Sequence, residues 1–385
     1  MPVQKRQHYV PQFYLKEFSN EKGGISLYNF KSDKYINQVP YASQCYKDYY
    51  YGKDGLWENK LSLMESKWAV AVKKFKEGLP VEDEDVNLIK QFVLYQRQRT
   101  FAEGEFRKQE RQDRLKEIAK IHCANRGWIF DGECEKICEE MVRNEPTPLE
   151  NLEISYEMEE LIEDLKVLVI TYITERELIS SDVPVVAINP FHQHSIGYSC
   201  MGLILFLPIT RNKVVVIYDG KMYSHFRDIP YTISYDEKEV YNLNILQYIS
   251  AEKIIFSYKE NELKEFRDDI REKREKCRNE SPISTLGPES EKLMLSSLRK
   301  TLYDCNLSFA GLRHEIRKIP FTCREAVPRQ WDEEWAKKLH DKESLISGLY
   351  SVKPDLFTPT GLSRKELLQG YRRMSIFADK YWKQQ

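Results

Sequence analysis

The feature that most constrains the fold is a crowd of apolar, β-branched runs between residues 165 and 220. KVLVITYI, ELISSDVPVVAINP, MGLILFLPIT and KVVVIYDG follow one another with only Gly, Pro, Asn and polar residues between them. Such runs favour strands, because branched side chains pack well on a pleated surface. A doubly wound sheet would need a long helix between successive strands, and no helical period separates these. The pattern therefore predicts an α+β chain with a mixed or antiparallel sheet.

Around this sheet the period changes. Residues 1–55 alternate short apolar stretches such as ISLYNF and YYY with the turn signals EKGG and KDG, which reads as a small N-terminal β element. Positions 58, 61, 65, 68, 72 and 75 then step by three and four, one stripe of a helix. A second helix is expected from near Pro80, with acidic residues in its first turn, running on through QRQRTFAEGEFRKQERQDRLKEIAKI to residue 121. A break is expected at NRGWIFDGE, then a helix at 236–250, a strand at 253–258 and a charged helix over 259–280. NESPISTLGPES at 279–290 reads as a linker and 291–385 as a helical C-terminal tail. The division is thus a core domain over 1–260, a charged helix and linker over 261–290, and a helical region over 291–385.

Bulk properties set limits. The 385 residues are 41% hydrophobic, 31% charged and 12% aromatic, an ordered globular composition. A net charge of −1 excludes a globally polycationic nucleic-acid binder but leaves room for a local basic groove. No run approaches the roughly 18 apolar residues of a membrane span, and residues 1–20 lack a signal-peptide core. A cytoplasmic location is expected, with no membrane partner. The eight cysteines include no CxxC and suit reduced thiols. His122, Cys123, Cys134 and Cys138, and the HxH of His192 and His194, do not match zinc spacing. P-loop, GxGxxG, GxSxG and HExxH motifs are absent from the sequence.

What remains informative is polar chemistry in apolar places. Glu58 and Glu65 share a stripe with Leu61, Trp68, Val72 and Phe75. A carboxylate on an apolar face needs a donor, and Gln96, Arg97 and Arg99 extend the stripes of the next helix as plausible partners. Buried ion pairs pinning two helices and an anion-binding pocket floor both fit that pattern. Ser181 and Asp182 fall at a strand end beside Pro184, which suits either a reactive site or an ordinary turn.

The segment QHYVPQFYLKEF at 7–18 resembles the N-terminal signature of an uncharacterised bacterial family, domain of unknown function four-two-three-eight. Its members show His-Tyr-Val-Pro-Gln followed by a Leu and a Phe. The likeness continues through the Glu58/Glu65 helix, QRQRT, SSDVPVV, LFLPIT and NLNILQYISAEKIIFS, covering roughly residues 5–260. The resemblance implies a compact shared domain and a shared polar site, and brings no established reaction. The polar residues in the matching segments are His8, Gln12, Glu58, Glu65, Gln96, Arg97, Arg99, Asp182, Asn244 and Gln247. Together they suggest a nuclease-like hydrolase, a toxin or phage-defence protein acting on nucleic acid. His8, Glu65 and Asp182 are its catalytic candidates. Gln12, Gln96, Arg97, Arg99, Asn244 and Gln247 are its substrate-binding candidates. In this reading Arg97 or Arg99 holds a phosphate, His8 is acid or base, and Asp182 or Glu65 orients His8 or binds Mg or Mn. The alternative is a non-catalytic sensor of a small anion or partner protein, with the C-terminal region as a protein-binding surface.

Overall fold

The computed structural model describes residues 4–143, 152–190 except 154 and 157, 197–225 except 201, and 229–278 except 265 and 267. Short pieces at 283–286, 293–296, 298–299, 307, 309 and 312–314 complete it. The chain enters through β1 (Arg6–His8) and a single helical turn, α1 (Gln12–Leu15). Pro11 starts that turn because its fixed φ of −64° and missing N–H cost nothing at a helix start. The amides of Tyr14 and Leu15 donate to its carbonyl. The hairpin β2 (Gly24–Asn29) and β3 (Lys34–Pro40) follows, and β4 (Tyr46–Asp48) returns to pair antiparallel with β1.

Helix α2 (Leu56–Glu77) lies between Gly55 and Gly78, both in the left-handed region that glycine adopts freely. Helix α3 (Asp83–Gln98) opens with a capping box of Glu82 and Asp85. The expected continuous helix is broken after Gln98, and α4 (Phe101–Arg126) begins anew. Thr100 makes the corner: its backbone is extended and its hydroxyl accepts from the Glu103 amide at 3.2 Å. The corner turns the whole of QRQRT inward, so that Gln96, Arg97, Gln98, Arg99 and Thr100 are all buried. The break expected at NRGWIFDGE falls at 127–131 and leads to α5 (Gly132–Arg143).

The β-branched runs form β5 (Lys166–Tyr172), β6 (Ser180–Ser181), β7 (Val186–Ile188), β8 (Ile204–Thr210) and β9 (Lys213–Tyr218). After β10 (Tyr223–Ser224), β11 (Tyr231–Ser234) completes a five-stranded mixed sheet in the order β11-β5-β9-β8-β7. Helix α6 (Glu237–Ser250) is capped by Asp236 and leads into β12 (Ile254–Ser257). A second, four-stranded sheet is antiparallel in the order β3-β2-β12-β6.

Alternate residues send the five-stranded sheet into two cores. Val167, Val169, Leu205, Leu207, Val215 and Ile217 pack with α2 and α3, whereas Leu168, Ile170, Phe206, Val214 and Val216 pack with Val240, Leu243 and Leu246 of α6. Burial on both faces is why these strands read as continuous apolar runs. Helix α6 is itself wedged between the sheet and a third core containing Ile245, Tyr248 and Ile249, which explains its apolar character all round. The fold is α+β, as expected.

The charged helix is shorter than expected, α7 (Asp268–Arg278). Within the expected linker lies β13 (Ile283–Leu286), paired antiparallel with β14 (Leu293–Ser296). In the expected helical tail β14 and β15 (Arg313–His314) are strands, because each finds a partner ladder, β15 with β10. From residue 315 onward the tail lies outside the described residues. Among the described residues no helix is long and apolar enough to cross a membrane.

Phe206 is fully buried at the centre of the second core. Phe206→Ala should cost about 3–5 kcal/mol in urea unfolding with an unchanged denaturant slope. A loss below about 1 kcal/mol would contradict the packing described.

Candidate active site

The clip at the N-terminus is held from inside. Gln7 is fully buried; its amide donates to the Gly52 carbonyl at 3.1 Å and its carbonyl accepts from the Tyr51 amide at 2.6 Å. The Tyr51 hydroxyl donates to the His8 carbonyl at 3.2 Å, and Tyr14 hydrogen-bonds Ser180 at 2.6 Å. These contacts fix the backbone on either side of His8. The imidazole Nε2 lies 3.1 Å from the Ala42 carbonyl. A carbonyl only accepts, so neutral His8 carries its proton on Nε2 and keeps the lone pair on Nδ1.

Helix α2 brings two carboxylates to the same place. Glu58 and Glu65, seven residues apart on one stripe, line a cavity of about 320 Å³ with His8, Gln12, Gln4, Ser62 and Ser66. Beneath it lies Arg99, 0% exposed. Its Nη1 donates to Glu65 at 2.6 Å, its Nε to the Gln96 side-chain carbonyl at 2.9 Å, and its guanidinium lies 5.9 Å from the centre of the Trp68 ring. Gln96 in turn donates to the Tyr9 carbonyl at 3.0 Å. One chain of hydrogen bonds therefore ties the clip to α3, and α3 to α2.

The electrostatics separate the two carboxylates. Glu65 has a guanidinium partner. Among the described residues Glu58 has none, and its carboxyl is pushed up to about 7 by partial burial first and by the charge of Glu65 second, with Arg99 opposing. His8 is displaced the other way, below 6.5: burial is the main cause, and the charges of Arg99 and Arg6 add to it against the Ala42 hydrogen bond and Glu65. The pocket thus holds a neutral base and a carboxylic acid near neutral pH, the pairing that proton transfer requires.

The remaining candidates lie elsewhere. Asp182 is buried, and its two oxygens accept from the Glu252 and Lys253 amides at 2.9 and 2.8 Å. Burial pushes its carboxyl up and those amides pull it back. Its oxygens are spent on the turn after α6, so orienting His8 falls to Ala42 instead. Asn244 bonds the Ile179 amide and the Glu177 carbonyl, and Gln247 bonds Ser181 and the Pro184 carbonyl. These two amides fasten α6 to β6. Arg97 donates to the carbonyls of Val185 and Arg299 and lies 3.9 Å from Glu103. Arg97 and Arg99 are both buried, with their hydrogen bonds made to the protein. Gln4, Ser62 and Ser66 were missed by sequence reasoning; only their position one step from the Glu58/Glu65 stripe or the clip signals them.

Among the described residues no group of three or more His, Cys, Asp or Glu is placed to hold a metal ion. That statement covers His122, Cys123, Cys134 and Cys138, whereas His192 and His194 lie outside the described residues.

Fold and site together define an α+β protein with a pocket lined by His8, Glu58 and Glu65 between its N-terminal strand and α2. The chain belongs to the family described as protein of unknown function (DUF4238), whose model matches residues 6–261. It matches no curated protein and no solved structure at a significant level.

The Glu58 shift has a stability consequence. Its folded value near 7 exceeds the ordinary 4.5, so the folded state holds the extra proton between these values. Its contribution to stability is present below pH 4.5 and is lost as pH rises through 7. His8, displaced downward, acts with the opposite sign and adds stability as pH rises toward 6.5. Glu58→Gln should therefore match the parent in melting temperature near pH 4.5 and gain on it progressively up to pH 8. A pH-independent difference would contradict the shift.

Proposed function

We propose that this protein is a nucleic-acid-cleaving hydrolase that works by acid–base chemistry in the His8/Glu58/Glu65 pocket. The observation that carries the reading is the convergence of His8, Gln12, Glu58 and Glu65 on one cavity, where Glu58 is raised to about 7 and His8 is lowered from its ordinary 6.5. His8 Nδ1 takes the proton of the attacking hydroxyl as its oxygen bonds to phosphorus. Glu58 passes its proton to the departing oxygen as the second P–O bond breaks. Burial first, and Glu65 beside it second, hold the Glu58 proton, while Arg99 holds Glu65 in place. Gln12 and Gln4 are the neutral donors available to the substrate. The cellular role proposed with it, from the family resemblance, is that of a toxin or phage-defence effector.

A second reading, a ligand-binding module, is favoured by a separate groove of about 890 Å³ on the other side of α2. Trp57, Trp68, Tyr95 and Tyr156 line it, with Lys60 and Lys67 on one helix and Asn87 and Gln91 on the next. Its size suits a small ligand, and a thermal-shift screen against nucleotides should raise the melting temperature if this reading holds.

The nuclease reading is tested with purified protein on RNA, single-stranded DNA and duplex DNA, with Mg²⁺, Mn²⁺ or EDTA. Cleavage should rise with pH as His8 loses its proton and fall through about 7 as Glu58 loses its own. His8→Ala and Glu58→Gln should each lower the rate about 10²–10⁴-fold, and Glu58→Gln should also remove the falling limb. Intact substrate in every condition would overturn it.

A further inference from the structure

Beside the pocket, the segment YKDYYYGK at 46–53 and its neighbours form a surface in which rings alternate with cations. The Arg6 guanidinium lies 5.0 Å from the centre of the Tyr46 ring, and the Lys53 ammonium 5.6 Å from that of Tyr49. Phe101 sits between two ammoniums, Lys47 at 5.5 Å and Lys253 at 3.8 Å. Tyr46 also faces His8 across 5.7 Å between ring centres, so the surface runs directly into the pocket.

The charges here are not neutralised locally. Among the described residues none of Arg6, Lys47, Lys53 and Lys253 lies within 4.0 Å of a carboxylate, although the chain as a whole carries a net charge of −1. The carboxylates of the segment are committed: Asp48 to Lys5 at 3.2 Å, and Asp54 to the Leu56 amide at 3.1 Å. By contrast, the basic stretch of α4 is neutralised by its own acids, with Arg107 and Arg114 on Glu110 and Lys116 on Glu135 and Glu139.

We infer that the Arg6/Tyr46/Tyr49/Lys53 surface is the track for a single-stranded nucleic acid leading into the His8 pocket. The inference rests on the nuclease reading for what happens at the end of the track, but binding is a separate property. A single strand offers unstacked bases to the rings and phosphates to the cations together. A duplex offers only phosphates, because its bases are already stacked. Tyr49, 36% exposed, is the ring a base reaches first, and the left-handed backbone at that residue, φ 53°, holds it out at the tip of the turn.

The test is fluorescence anisotropy with the full chain carrying Glu58→Gln, so that cleavage does not consume the probe. Labelled single-stranded RNA, single-stranded DNA and duplex DNA of equal length are the probes. Single strands should bind more tightly than duplex, and Tyr49→Ala should weaken them about 5- to 100-fold, the loss of one stacked base. Lys53→Glu should weaken binding and flatten its salt dependence. Unchanged melting temperatures would show that the variants fold, which their exposed positions favour. Equal affinity for duplex, or affinity untouched by both variants, would overturn the track. Single-strand binding that Tyr49→Ala abolishes, with no cleavage by the unaltered protein, would keep the track and remove the nuclease reading.

Discussion

The buried guanidinium of Arg99 is the interaction on which the rest of the site depends. A charge fully removed from water must be met by partners or it costs several kcal/mol. Here Glu65 from α2 and Gln96 from its own helix meet it, while Trp68 covers a face of the group. Gln96 spends its other end on the Tyr9 carbonyl, so the need to satisfy Arg99 also fastens the N-terminal clip. The clip in turn carries His8. This chain of contacts adds to the packing of Phe13 and Tyr14 on Phe92 of α3.

The same arrangement explains how two glutamates of one helix acquire different chemistry. Glu65 accepts a hydrogen bond from Arg99 at 2.6 Å. Glu58, two turns earlier, shares the cavity and the field of Glu65 without a cation of its own, and its proton is retained to about pH 7. The difference comes from position on the stripe, since the residue type is the same. His8 completes the set from a strand, and the Ala42 carbonyl, which the sequence does not mark in any way, decides which of its nitrogens holds the proton.

Much of the fold was legible because it depends on local pattern. The β-branched runs marked β5, β7, β8 and β9 of the five-stranded sheet but not its edge strand β11, and the three-and-four stepping marked α2. The Thr100 corner was not legible: QRQRT continues a helical period, and only a hydroxyl accepting from the Glu103 amide ends it. The Glu65–Arg99 pair could be anticipated from polar residues on apolar stripes. Asp182, Asn244 and Gln247 looked like partners of the same pocket, since polar residues in family-like segments carry no label distinguishing a site from a staple. Their hydrogen bonds to backbone amides and carbonyls show that they hold α6, its following turn and β6 together. The aromatic-cation surface at 46–53 was visible only as an excess of tyrosine, because its order depends on which rings meet which cations across β1, β4 and α4.

A double-mutant cycle between Arg99 and Glu65, read by urea unfolding at neutral pH, tests this account most directly. Arg99→Met alone should cost about 3–5 kcal/mol, since it strands Glu65. Adding Glu65→Gln should recover a large part of that loss, giving a coupling of at least about 1 kcal/mol. Single losses that simply add, with no coupling, would show that Arg99 does not depend on Glu65 and that the clip, α2 and α3 are joined in some other way.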